Sequence, residues 1–232
     1  MRFTELHDTR RNVLMSMTGV GAGMAAAQGT KSEPNQGEEE VSPTEDLMRE
    51  HGLLNRVLLL YDDGLRKLAA QHQPDPAVLS GGADIVRRFI EDYHEKLEED
   101  YLFPRFEKAG KFTDLVTVLR QQHRVGRRLT GVIQQLSSGQ TLRQDSDGKR
   151  LAEALQLFVR MYRPHEARED TVLFPALHQL ISRHEWDSLG DDFEKREHQL
   201  FGKEGFEGMV EKVALLEKKA GLYNLAQFTP QG

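Results

Sequence analysis

Two stretches of the sequence repeat one pattern of potential metal ligands. The first, residues 94–104, reads HEKLEEDYLFP, and the second, residues 165–175, reads HEAREDTVLFP. Each has a histidine (His94, His165) followed four residues later by a glutamate (Glu98, Glu169). Residues four apart lie on one face of a helix, so each stretch offers an imidazole nitrogen and a carboxylate oxygen to the same point. Imidazole and carboxylate together suit iron and other first-row divalent metals.

The repeat extends upstream of both stretches. His51 lies 43 residues before His94, and His123 lies 42 residues before His165. These separations fit two helical hairpins, each with one histidine on its first helix and a His-x3-Glu pair on its second. Such hairpins bury their apolar faces against each other, and metal sites in helical bundles are built from side chains that point inward. We therefore expect an all-α fold, an antiparallel up-down four-helix bundle.

Composition excludes several classes of function. The 232-residue chain contains no cysteine, which rules out disulfides, iron–sulfur clusters and thiolate ligands, so a bound metal needs nitrogen and oxygen ligands. The formal net charge of −6 argues against nucleic acid or an anionic membrane surface as the main partner.

The sequence divides into four segments. Residues 1–27 carry Arg10 and Arg11 before an uncharged run that ends in three alanines, which predicts a twin-arginine export signal cleaved after Ala27. The alternative is a disordered tail on a cytoplasmic protein. Residues 28–43 form a polar linker, 44–185 the bundle, and 186–232 a helical extension that packs on it. Export predicts a periplasmic location, with no stable membrane insertion once the signal is removed.

Helix boundaries follow from capping and breaking residues. Ser42, Pro43 and Glu45 have a capping-box layout that starts the first helix. The second is expected to start near Asp75 and to kink or end at Pro104, and the third to start at Thr113. The predicted bounds of the fourth are Lys149 and about Ser182. A fifth segment, 189–219, is expected to break near 202–208, and the apolar tail 223–230 to pack on the bundle.

The ligand pattern resembles the hemerythrin-like (HHE cation-binding) family. Single His, His-x3-Glu, single His, His-x3-Glu on four helices is the pattern of that family, and here it covers about residues 44–185. The resemblance implies a non-haem di-iron centre with an oxo or hydroxo bridge. It also implies the ligands: terminal His51, His94, His123 and His165, with bridging Glu98 and Glu169.

The chain departs from the oxygen-carrying hemerythrins, which have five histidine ligands and an aspartate bridge. Four histidines leave one more coordination position open than five, which favours reaction or sensing over reversible carriage unless His198 fills it. We expect His198 to lie outside the ligand set. With Glu194 one turn before it, His198 remains a candidate for an extra ligand or a neighbour of the ligands.

Other polar residues lie near the ligands in sequence. Tyr101 and Tyr162 are candidates to hydrogen-bond a metal-bound oxygen, although packing is the more ordinary role. Arg127 is a candidate to pair with a bridging or neighbouring acid, although a solvated charge is the more ordinary role. The acids beside the ligands are expected to be solvated: Glu95, Glu99, Glu166 and Asp170.

Two classes of function compete. The first is a di-iron protein that binds or reacts with dioxygen, peroxide or nitric oxide, as a sensor, a scavenger or a peroxide-consuming enzyme. The second is a cation-binding storage or structural module without redox turnover. Metal content separates them in part, because zinc has no redox chemistry.

Overall fold

The described part of the chain is helical and contains no strand. The computed structural model describes residues 41–138 and 145–230. Its helices are α1 (Pro43–Ala69), α2 (76–109), α3 (Thr113–Ser137), α4 (145–177), α5 (Arg183–Phe201) and α6 (Gly205–Ala220), followed by the short 3₁₀ turn Leu225–Phe228. The predicted all-α class is therefore confirmed. The proposed export signal and most of the linker lie outside the described residues.

Local sequence explains where the helices start and stop. Asp75 caps α2 by accepting a hydrogen bond from the Ala77 N–H at 2.9 Å, and Pro76 follows in the first turn, where its missing N–H costs nothing. Helix α2 ends at Gly110, which has the left-handed conformation (φ 62°) that glycine adopts without strain. Helix α4 begins at Asp145, four residues before the predicted start, and ends at Leu177, five before the predicted end.

Helices α2 and α4 contain wider π-helical turns at matching places. One starts at Glu98 (Glu98–Leu102) and one at Glu169 (Glu169–Leu173); α2 has a further π-helical stretch over Val86–His94. In both matching turns a phenylalanine N–H bonds the glutamate carbonyl five residues back. The proline that follows each phenylalanine lacks an N–H, so the regular series of backbone hydrogen bonds is interrupted there in any case. Helix α2 accordingly continues past Pro104 to Ala109, and Pro104 does not end it.

The first four helices pack around a shared core. Each contacts its neighbour in the chain, and α4 also contacts α1. The aromatic side chains at the centre are fully buried, including Tyr61, Phe89, Phe103, Phe106, Phe158 and Phe174. This arrangement surrounds the inward faces that carry the predicted ligands.

The C-terminal helices lie against α1 and α2. Arg56 on α1 makes a two-pronged ion pair with Glu217 on α6, with N–O distances of 2.9 and 2.5 Å. The chain breaks between α5 and α6 at Gly202, close to the predicted position. In the tail, Leu225 is 80% exposed and Phe228 46% exposed. Across the described residues, no helix combines the length and apolar character needed to span a bilayer.

Candidate metal centre

The six predicted ligands lie together in the interior. His51 comes from α1, His94 and Glu98 from α2, His123 from α3, and His165 and Glu169 from α4, and none is more than 3% exposed. They form two overlapping groups whose ligand atoms lie within 4.8 Å of one another. One group is His51, His94 and Glu98, and the other is Glu98, His123, His165 and Glu169.

The histidines are arranged as two pairs. The rings of His51 and His94 have centroids 4.7 Å apart, and Nε2 of His123 lies 3.3 Å from Nε2 of His165. Each pair joins one histidine from the first helix of a hairpin with one from the second, and the ring nitrogens that face the centre are Nε2.

The two glutamates lie between the pairs. Glu98 places Oε1 3.7 Å from Nε2 of His94 and Oε2 3.3 Å from Nε2 of His123. Glu169 places Oε2 3.4 Å from Nε2 of His51 and 3.1 Å from Nε2 of His165. Each carboxylate therefore faces one histidine of each pair.

The carboxylate oxygens of the two glutamates fit a cation. Among the described residues, none of the four oxygens of Glu98 and Glu169 makes a hydrogen bond of good geometry, although both side chains are fully buried. Burying an unpaired polar group is costly, and buried carboxylates normally have partners or coordinate metal. Four Nε2 atoms that lie 3.1–3.7 Å from unsatisfied oxygens of two carboxylates are a donor set for divalent cations.

The outer ring nitrogens are held by partners at equivalent positions in the two hairpins. His94 Nδ1 lies 2.7 Å from Glu50, and His165 Nδ1 lies 2.9 Å from the side-chain oxygen of Gln122. Glu50 and Gln122 each directly precede the histidine of the first helix. A partner of this kind fixes the ring orientation and the tautomer that leaves Nε2 free to bind.

The other two histidines also bond a side chain through Nδ1, but their partners lie on the opposite hairpin. His51 Nδ1 lies 2.7 Å from Asp170, and His123 Nδ1 lies 3.1 Å from Glu99. Asp170 and Glu99 each directly follow a bridging candidate, so each hydrogen bond links one hairpin to the other.

The expectation that the neighbouring acids are solvated is wrong. Glu95 and Glu166 are 1% and 2% exposed, and the side chains of Glu99 and Asp170 are 12% and 33% exposed. Glu99 and Asp170 bond histidines of the opposite hairpin, and Glu95 and Glu166 accept hydrogen bonds from side chains of other helices. Because these acids recur at the same offsets in both hairpins, the repeat itself carried the information that they are partners of the ligands.

Arg127 and Tyr162, two of the candidates near the ligands, meet at Glu95. Arg127 lies 2.7 Å from Glu95 and 2.9 Å from Glu99, and the buried Tyr162 hydroxyl donates to Glu95 at 2.7 Å. Glu166, the equivalent of Glu95 in the other hairpin, instead accepts a hydrogen bond from the side-chain amide of Asn55 at 2.5 Å.

The electrostatic surroundings of the equivalent histidines differ. Burial lowers the pKa of His51, but the carboxylates of Asp170 and Glu169 outweigh burial and raise it to about 10. Burial lowers the pKa of His123 to about 4, although Glu99 acts in the opposite direction. Burial and the nearby charge of Glu169 raise the pKa of Glu98 well above its usual range, as expected for facing buried carboxyls.

Aromatic rings cover the cluster at the matching Leu-Phe-Pro motifs. Phe174 stacks on His51 and Phe103 stacks on His123, both with ring centroids 5.5 Å apart. Each phenylalanine thus closes over a histidine of the opposite hairpin, and the repeated motif has a physical role that sequence reasoning did not assign.

Three candidates, Tyr101, Glu194 and His198, remain. His198 is exposed and Glu194 half-buried on α5. Tyr101 packs edge-on against Phe193, with ring centroids 5.7 Å apart. None of these three belongs to the buried histidine and glutamate groups found among the described residues.

The buried histidine and glutamate groups could hold a metal ion, as in a cation-binding helical protein, and comparison with known proteins identifies the family. Residues 42–177 match the model of the hemerythrin HHE cation binding domain. The chain belongs to this family.

Similar chains occur in mycobacteria. The chain is 43% identical over 231 residues to the uncharacterized protein Rv1995 of Mycobacterium tuberculosis and, with the same figures, to the uncharacterized protein Mb2018 of Mycobacterium bovis. The alignments cover 95% of this chain and 91% of each relative. No solved structure matches the chain significantly.

Proposed function

We propose that this protein is a non-haem di-iron protein that binds or reacts with dioxygen, peroxide or nitric oxide. Its first four helices would form an antiparallel up-down four-helix bundle around the centre. Terminal ligands would be His51 and His94 for one iron and His123 and His165 for the other, with Glu98 and Glu169 bridging the two.

One observation carries this proposal. Glu98 and Glu169 each face one histidine of each pair, and none of their oxygens is satisfied by a hydrogen bond. A single cation would need only one pair of histidines, so two pairs that face the same two carboxylates favour two cations. The ligand set holds nitrogen and oxygen only, which suits iron.

The surrounding residues hold the ligands in place. Nδ1 of each histidine is held by a carboxylate or an amide oxygen, which directs Nε2 inward and limits rotation of the ring. The stacked rings of Phe103 and Phe174 keep water from two of the histidines. When bound, a pair of irons would supply one-electron and two-electron chemistry toward small oxygen or nitrogen ligands.

The exposed position of His198 supports reaction or sensing over reversible carriage. Within the described residues only four histidines reach the cluster, so a fifth histidine ligand has no candidate there. The centre would keep an additional open position for an exogenous ligand.

Metal analysis and one absorption spectrum test the proposal. Protein purified after expression with iron should contain two irons per chain and show a ligand-to-iron absorption band that shifts with azide or peroxide. One zinc ion per chain, or two irons with no such response, would overturn the proposal in favour of a storage or structural module.

We also propose that the protein is exported, on the basis of Arg10, Arg11 and the small-residue run before Ala27. Replacing both arginines with lysine should retain the precursor in the cytoplasm. Normal export of that variant would refute the twin-arginine assignment.

A further inference from the structure

The two halves of the cluster place different charges around equivalent ligands. We propose that the two metal positions are unequal, and that the His51–His94 position binds a divalent cation more tightly than the His123–His165 position. This inference rests on the proposed dinuclear centre, and it assigns Glu50, Gln122, Asn55 and Arg127 as the residues that set the difference.

The first difference is the partner of an imidazole. Nδ1 of His94 bonds the buried carboxyl group of Glu50 at 2.7 Å, whereas Nδ1 of His165 bonds the amide oxygen of Gln122 at 2.9 Å. A carboxylate partner makes an imidazole a more basic ligand than an amide partner does. His94 is therefore the stronger donor of this equivalent pair.

The second difference is a cation four residues after the first-helix histidine. Asn55 holds this place after His51 and donates a neutral hydrogen bond to Glu166, whereas Arg127 holds it after His123 and pairs with Glu95 and Glu99. A guanidinium near the second position opposes a bound cation there by direct repulsion, because charges interact strongly in the low-dielectric interior.

The same cation also weakens the partner of His123. Glu99 shares its carboxylate among His123 at 3.1 Å, Lys96 at 2.5 Å and Arg127 at 2.9 Å. Asp170, its equivalent, bonds His51 at the shorter distance of 2.7 Å. A carboxylate shared with two cations is a weaker hydrogen-bond acceptor for the imidazole N–H, so His123 gains less basicity than His51.

All three differences act in the same direction. Relative to the His51–His94 position, the His123–His165 position loses a negative partner and gains a positive neighbour. The ligands themselves are equivalent, so the residues around them decide the order of loading. The His51–His94 position fills first when metal is scarce, and the His123–His165 position releases its ion first. The abundance of metal thereby controls whether the reactive two-metal form is assembled.

Cobalt(II) binding to the full chain tests this inference. Competition against a chelator of known affinity should resolve two stepwise dissociation constants in the wild-type protein, separated by about 10–100-fold, the usual effect of partners that orient and polarise metal ligands. Two ions with equal intrinsic constants would overturn the inference while leaving the dinuclear proposal intact. Fewer than two ions would overturn both.

Two isosteric exchanges determine which constant belongs to which position. Glu50→Gln should weaken the tighter constant, and Gln122→Glu should strengthen the weaker one, each by about tenfold, so both variants narrow the gap. If the order of the positions were reversed, both exchanges would widen the gap and the inference would be wrong.

Gln121→Glu provides the matched control for added charge. Gln121 is exposed and adjacent to Gln122, so this exchange adds the same charge to the same turn without reaching His165. It should leave both constants within about twofold, because exposed charges are screened by water and salt. A change as large as that of Gln122→Glu would show that bulk charge, and not the hydrogen bond to His165, sets the affinity.

Discussion

The two hairpins agree where they contact the centre and differ one layer further out. Both supply one histidine and, 42 or 43 residues later, a second histidine with a glutamate four residues after it. In both, a polar side chain bonds Nδ1 of each ring. The layer behind the ligands differs: Glu50 corresponds to Gln122, Asn55 to Arg127, Leu54 to Gly126, and Glu91 to Tyr162. The need to direct four nitrogens and two carboxylates at one point fixes the inner layer. The outer layer need only fill space and satisfy hydrogen bonds, so it can give each half its own charge and packing.

The largest loss of metal binding should follow from replacing Glu98 or Glu169, the glutamates that occupy equivalent positions in the two hairpins. Glu98→Ala and Glu169→Ala should each remove the dinuclear absorption spectrum, because a bridging carboxylate serves both metals. Each should also abolish the stabilisation that bound metal gives the native state, so both variants should unfold at the same temperature with and without iron. Metal analysis and thermal melts of both variants measure these effects.

Different effects of Glu98→Ala and Glu169→Ala would show that the two hairpins are not equivalent at the centre. If one variant retained two irons and an unchanged spectrum, that glutamate would not be a bridge, and the halves would differ in the inner layer as well. A useful control is Glu153→Ala, since Glu153 is exposed on α4 and should leave metal content and spectrum unchanged.

Sequence predicted the inner layer better than the outer one. Helical spacing and the repeat were enough to propose the six side chains that the structure brings together, because residues at i and i+4 share a face whatever the surrounding fold. The all-α class followed from the same periodicity. Pro104 shows the limit of local rules: a proline normally interrupts a helix, yet a π-helical turn before it lets α2 continue.

The outer layer depends on packing between hairpins that no local pattern reveals. Glu99 and Asp170 look like solvated helix charges in sequence, but each reaches a histidine on the other hairpin. Glu95 and Glu166 are buried because Tyr162, Arg127 and Asn55 approach them from other helices. Only the repetition of these acids at equal offsets could have indicated a shared role.

A second prediction tests the packing difference between Gly126 and its equivalent, Leu54. A Cβ at position 126 would lie 2.8 Å from Cζ of Tyr162 and overlap its hydroxyl, which bonds Glu95. Gly126→Ala should therefore destabilise the protein by about 1–3 kcal/mol, the usual cost of overpacking a core. Urea unfolding measures this free energy.

Gly52→Ala supplies the control for helix propensity. No heavy atom lies within 4 Å of a Cβ at position 52, and this residue is exposed on α1. Replacing this glycine with alanine should stabilise the protein by up to about 1 kcal/mol, since alanine favours the helix. Stabilisation by Gly126→Ala as well would mean that Tyr162 moves aside without cost and that the halves pack alike.

A pH-dependent effect is expected at Glu166, the buried acid whose partner is neutral. Burial raises its pKa from an ordinary value of 4.5 to about 8, although His51 and the hydrogen bond from Asn55 act in the opposite direction. The folded chain therefore holds a proton on Glu166 that the unfolded chain releases, so this residue costs stability as the pH rises from 4.5 to about 8. In metal-free protein, Glu166→Gln should remove that cost. Its advantage over the wild type should grow from pH 5 to pH 8 by about 3–4 kcal/mol, at about 1.4 kcal/mol per pH unit. This corresponds to about 10 °C in Tm, at about 2–4 °C per kcal/mol for a chain of this size. Thermal melts of metal-free wild type, Glu166→Gln and the exposed-site control Glu153→Gln across this range measure the difference. A constant offset between Glu166→Gln and the wild type at all pH values would show that Glu166 stays ionised in the folded chain across this range and that its pKa is not raised.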